Sequence, residues 1–190
     1  MVTPMLRPDR FGGLATHAGD ALFEHAYWPD VREAMRALRD EHGGSYDAFW
    51  TDLRGRPGRP RSSDGVLLNV WTMAACYSAD PEGTVRLPWH PDGTIDHATW
   101  DRWLARDPVR MAPQHATALR GLRAIWIDAG RGDEFFLDLG AEAFAAAVRD
   151  LGIAEPVLHV ELFDGAHSNL EWRYPLALRF LAERLSPPGS

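Results

Sequence analysis

Two stretches of the sequence put a carboxylate and an imidazole where hydrolytic chemistry would use them. "IWIDAGRGDEFFL" runs as an apolar strand into glycines and carries Asp133, and "VELFDGAHSNLEW" runs into an Asp-Gly turn and carries His167. In open parallel sheets, active residues gather in the loops beyond the carboxyl ends of the strands. Neighbouring parallel strands would set these two loops side by side, so that Asp133 accepts a hydrogen bond from one imidazole nitrogen of His167. Such a bond fixes the tautomer and steadies the imidazolium formed when the other nitrogen takes a proton from a hydroxyl.

Other readings compete at each position. Asp128 is a rival acid at the end of its strand, where a carboxylate can tie down loop backbone; position favours Asp133. Asp164 precedes Gly165 and is most simply a turn residue. Asp133 could instead cap the following helix, leaving His167 an ordinary loop histidine. A metal-dependent hydrolase would need ligands such as His17, Asp20 and His25 in "THAGDALFEH". That set lacks an H-E-x-x-H-like spacing, and two histidines eight apart do not share one helical face.

The elements that must position the pair can be read along the chain. Residues 11–20 read as a short buried strand. Pro29 opens a helix with Val31, Ala34, Met35 and Leu38 on one face, stopped by Gly43-Gly44. Ser45 can cap a second helix carrying Tyr46, Phe49, Trp50 and Leu53. "RGRPGRPR" at 54–61 reads as a flexible surface loop, and 62–77 as an apolar helix buried on most sides. Asp96 caps a short helix with Trp100, Trp103 and Leu104, closed by Pro108. From Leu122 the pattern becomes strand (LRAIWID), helix (138–151), strand (VLHVELF), helix (173–185), with Pro175 tolerable only in a first turn. That alternation means parallel strands with crossover helices. The expected class is therefore α/β, one domain over 1–185, with 29–120 a mainly helical insertion or lid and 186–190 a disordered tail. The insertion's tryptophans Trp50, Trp71, Trp89, Trp100 and Trp103 are expected to be core rather than a ligand platform.

Composition narrows the chemistry. With 45% hydrophobic and 25% charged residues, the 190-residue chain has an ordinary globular composition. All twenty basic residues are arginine. Schiff-base chemistry, a pyridoxal phosphate anchor and a P-loop each need a lysine amine, so all three are excluded. One cysteine, Cys76, excludes both an internal disulfide and a cysteine-rich zinc site, and cytoplasm is the default location. The net charge of −7 argues against nucleic acid as partner. No apolar run approaches a membrane span. No cofactor and no metal are expected.

Acid before histidine is the chain order of the α/β-hydrolases. "IWIDAGRGDEFFLDLGAEAF" with "LFDGAHSNLEWRYPLALRFLAERL" resembles the C-terminal half of their esterase D-like branch, which includes S-formylglutathione hydrolases and enterochelin-esterase relatives. "RPDRFGGLATHAGDALFE" is similar to the strand after that family's nucleophile helix. The resemblance implies a serine hydrolase acting on carboxylic esters or thioesters, with Asp133 as triad acid and His167 as general base. It covers both ends of the chain and little of 40–120. The family's nucleophile is a serine in G-x-S-x-G on a strand-to-helix turn. None of the serines at 45, 62, 63, 78, 168, 186 and 190 stands in that frame. "MVTPMLRPDRF" resembles the end of the nucleophile helix, so the serine is expected on the order of five to ten residues before Met1. The chain then reads as a partial α/β-hydrolase domain whose first strand is an edge, open to pairing with a partner. The alternative is a binding or assembly module that kept the fold and lost the serine.

Overall fold

The structure, a computed structural model, describes residues 1–185; the tail expected at 186–190 lies outside the described residues. In chain order the elements are α1 (Val2–Leu6), β1 (Gly13–His17), α2 (Phe23–Ala26), α3 (Trp28–His42), α4 (Tyr46–Gly55), α5 (Asp64–Ser78), α6 (His97–Leu104), α7 (Pro108–Met111), α8 (Ala116–Arg120), β2 (Ala124–Gly130), α9 (Leu137–Asp150), β3 (Leu158–Phe163) and α10 (Tyr174–Leu185). A 3-10 turn, Glu171–Arg173, leads into α10. Two compact units result, one of Tyr27–Ala105 and one of Met1–Ala26 with the chain from Arg106 onward.

The second of these units is an α/β fold with a three-stranded parallel sheet in the order β1-β2-β3 and helices in the crossovers. Every residue of β2 is buried, Asp128 among them, as befits a central strand covered on both faces. Helices α9 and α10 pack on β2, and α10 also reaches β1. Trp126 of β2 stacks on its register partner His159 at 3.9 Å, and Phe180 of α10 meets both rings. Gly140 lets α9 press close to the backbone of Ala21: an added Cβ would lie 3.0 Å from the Ala21 carbonyl carbon.

The mainly helical unit is built on α3 against α5, with α4 closing one side. Val31, Ala34, Leu38, Tyr46, Phe49, Leu67 and Val70 form its core. The tryptophans serve this packing. Trp103 is fully buried and donates its indole N–H to Ser78 Oγ at 2.8 Å, Trp100 is buried beside it, and Trp50, Trp71 and Trp89 pack half-buried against the core.

Three local expectations need correction. Helix α5 is not buried on most sides: Leu67, Val70, Ala74 and Ser78 form one stripe, while Thr72, Ala75 and Cys76 face solvent. Its overall apolarity comes partly from small residues that need no burial. Pro108 does not close the Trp100–Trp103 helix but opens α7 in its first turn, with Asp107 as the cap; proline suits a helix start because its missing N–H would be unpaired there, and the chain after a helix because it cannot continue one. The Arg/Pro/Gly loop is also less free than its composition suggests. Arg56 bridges Asp52 and Asp64 and donates to the Arg59 carbonyl.

That arginine makes the helical unit acid-sensitive. Hydrogen bonds from Arg56 hold the carboxyls of Asp64 and Asp52 below the usual aspartate range. A depressed folded pKa contributes stability that is complete above the ordinary aspartate pKa and is lost as pH falls through the lower folded value. Melting followed by tryptophan fluorescence should therefore hold steady down to about pH 4 and fall steeply below it. In Arg56→Ala the steep part should shrink; an identical acid limb in the variant would contradict this account.

Candidate active site at the strand ends

Asp133 stands three residues past β2 and His167 four residues past β3, in adjacent loops at the carboxyl ends of adjacent parallel strands. Their side chains meet: His167 Nδ1 lies 3.1 Å from Asp133 Oδ2. A carboxylate can only accept, so Nδ1 carries the proton and Nε2 is left as the basic nitrogen. The Asp133 side chain is 0% exposed and that of His167 39% exposed, which is the asymmetry an orienting acid and an accessible base require. Phe135 meets the imidazole edge-on at 5.0 Å.

The N-cap of α9 is Phe136, with no side-chain cap, so Asp133 steadies the approach to that helix rather than capping it. Its other oxygen, Oδ1, accepts the backbone N–H of Phe135 at 2.9 Å and, more weakly, that of Leu137 at the start of α9. One oxygen thus fixes the acid in its own loop while the other is turned to the histidine. Glu134, next in sequence, accepts the backbone N–H of His167 at 3.1 Å. Backbone N–H donors, its own and that of His167, hold the Glu134 carboxyl below its usual range.

Glycines allow the two loops to touch. Gly132 N–H donates to the Gly165 carbonyl at 2.9 Å. A Cβ on Gly130 would sit 2.6 Å from the Gly165 carbonyl carbon and 2.7 Å from the Ala166 oxygen. Backbone on the far side cannot rotate away as a side chain would. Gly130→Ala should therefore push the loops apart, cost about 1–3 kcal/mol in denaturant unfolding, and weaken the Asp133–His167 bond. Unchanged stability would show that the loops move freely.

Asp128, the alternative acid, is committed elsewhere. Its Oδ1 lies 2.7 Å from Nδ1 of His17, the last residue of β1 and its register partner. Its Oδ2 accepts the Trp126 indole N–H at 2.6 Å and Arg173 Nε at 2.9 Å. Arg173 continues to Glu161 on β3, donating through both terminal nitrogens. His17, Asp128 and Glu161 occupy one register row across the three strands. Sequence reading passed over this row, since a register 111 residues apart leaves no local signal. It also passed over Asp107, fully buried, which accepts the N–H groups of Leu22, Phe23 and Val109 and so ties the loop leaving β1 to α7.

The metal set falls apart in the fold. His17 is taken by Asp128, and among the described residues no three His, Cys, Asp or Glu side chains gather as a metal would need. Three serines of the helical unit have structural duties: Ser45 caps α4, Ser63 donates to Glu41, and Ser78 is fully buried.

Backbone strain marks the same end of the sheet. Among the described residues, the non-glycine positions with left-handed backbone are Ala18 and Leu22 after β1, Phe136 after β2 and Asn169 after β3. Such conformations are costly for ordinary side chains and gather where loops are held to a functional shape. Comparison of the chain with protein-family models and with curated proteins finds no match.

Proposed function

We propose that Asp133 and His167 are the acid and general base of a serine esterase-like hydrolase of the esterase D-like α/β-hydrolase branch, acting on carboxylic esters or thioesters. The observation that carries this is the Asp133–His167 hydrogen bond, made by a buried acid and an accessible imidazole at the carboxyl ends of adjacent parallel strands. In that reaction a serine hydroxyl gives its proton to His167 Nε2 as its oxygen attacks the acyl carbon. The ester C–O or thioester C–S bond breaks, the imidazolium returns the proton to the leaving group, and water releases the acid by the same route. Asp133 orients the imidazole throughout.

The reading requires a serine in a G-x-S-x-G turn, a frame that none of the chain's own serines occupies, and would let the sheet continue along the edge of β1. Phe135, Phe136, Leu139 and Trp172 leave apolar surface exposed on and beside the two loops, which suits an acyl group or the segment that brings the serine. Among the described residues no helix is long and apolar enough to cross a membrane; a cytoplasmic setting suits the single exposed thiol of Cys76. The test is the DNA upstream of the Met1 codon, translated in frame. A hydrophobic strand running into G-x-S-x-G supports the hydrolase.

The second reading, a non-catalytic binding or assembly module, draws on the absence of any serine in the G-x-S-x-G frame. An upstream stop codon would favour it.

A further inference from the structure

We propose that Arg173 is a positioning residue for the His167 imidazole, anchored to the sheet by Asp128 and Glu161. The proposal rests on the acid–base reading above and names what holds the base in place.

His167 lies on a loop of about seven residues between β3 and the 3-10 turn, and its Nδ1 reaches an acid on a different loop. One part-buried hydrogen bond contributes about 1 kcal/mol and would not by itself order a loop of that length. The loop is instead fastened at both ends. At its start, Arg131 N–H donates to the Phe163 carbonyl and Gly132 N–H to the Gly165 carbonyl, each at 2.9 Å. At its finish stands Arg173, whose side chain is 2% exposed.

The guanidinium does what a single-point cation could not. Its Nε binds Asp128 on β2, and its two terminal nitrogens bind the Glu161 carboxylate on β3, so one planar group spans two neighbouring strands. Its carbon also sits 4.7 Å from the ring centres of Phe163 and Trp172, which bracket the loop in sequence. Asp128 is also held by His17 at its other oxygen and by Trp126 at the oxygen that Arg173 uses. The anchor is thus rigid before the loop attaches to it. Burial of a cation between two carboxylates is weak evidence for stability as such, but it specifies one arrangement of the parts it joins. Here those parts are both strands of the site and the end of the loop that bears the base.

The test uses the 190-residue chain labelled with 15N-histidine. Long-range proton–nitrogen NMR reports the His167 tautomer, and thermal melting reports the fold. Arg173→Lys keeps a cation but cannot span both carboxylates. Glu161→Leu removes the β3 anchor while leaving Arg173 paired with Asp128. The expected result is a wild-type His167 held as the Nδ1–H form, and loss of that form to the mixed tautomers of a free imidazole in both variants, with cooperative melting retained. If Arg173→Lys does not fold, Glu161→Leu decides alone, because it leaves the terminal nitrogens of Arg173 without Glu161 but keeps the guanidinium paired in charge with Asp128. Folded variants that keep the wild-type tautomer overturn the positioning role and leave the acid–base reading intact. A wild-type His167 without the Nδ1–H form defeats the acid–base reading itself, and the positioning role with it.

Discussion

Arg173→Ala will lower the stability of the sheet unit by about 3–5 kcal/mol. The change removes the cation that faces Asp128, whose side chain is 0% exposed, and it strips Glu161 of its partner. Asp128 would keep the Trp126 indole N–H and the His17 imidazole, but a carboxylate sealed from water with neutral donors alone is expensive to retain. The alanine also leaves a space where the guanidinium lay against Phe163, Trp172 and Trp126. Urea unfolding followed by circular dichroism measures the loss. A value below about 1 kcal/mol, the size of an exposed ion pair, would mean that the charges are not sealed from water.

Asp133→Asn will reverse the His167 tautomer. The amide matches the carboxylate in shape, and its oxygen can still accept the Phe135 N–H. Its NH2 group then faces the imidazole, so Nδ1 must accept and the proton moves to Nε2. An imidazole protonated at Nε2 cannot take a proton there, and the corresponding change in triad enzymes lowers kcat about 10⁴-fold. Because the shape is kept, stability should change much less than in Arg173→Ala. NMR of the labelled chain reads the tautomer directly; a variant that retains Nδ1–H would show that Asp133 does not set it.

The acid–histidine pair was legible because its two members obey a local rule. Each follows an apolar run that ends in glycine, and sequential parallel strands put such ends together. Strand β2 was equally plain, since the apolar residues on either side of Asp128 mark a strand buried on both faces. The Asp128 row was not legible. His17 and Asp128 meet only because β1 and β2 adopt a particular register across the whole helical unit, and register between distant strands is set by packing rather than by either segment. Arg173 stands in sequence at the start of the expected last helix with nothing local to single it out, and only the sheet beneath it turns it into a buried fork. Pro108 misled for another reason: proline is favoured both at a helix start, where its missing N–H costs nothing, and after a helix, which it cannot continue. The apolar run of α5 misled because alanine, glycine and cysteine raise the hydrophobic content of a helix without demanding burial.

The hydrolase proposal meets its most direct test in ester hydrolysis by the protein translated from the whole reading frame that contains these residues, assayed on p-nitrophenyl acetate and on a simple thioester beside the Asp133→Asn and His167→Ala variants. The account predicts turnover in the wild type and a loss of about 10⁴-fold in either variant, with melting temperatures that stay close to the parent. Turnover that survives both substitutions, or none in a folded protein whose frame supplies G-x-S-x-G, would contradict it.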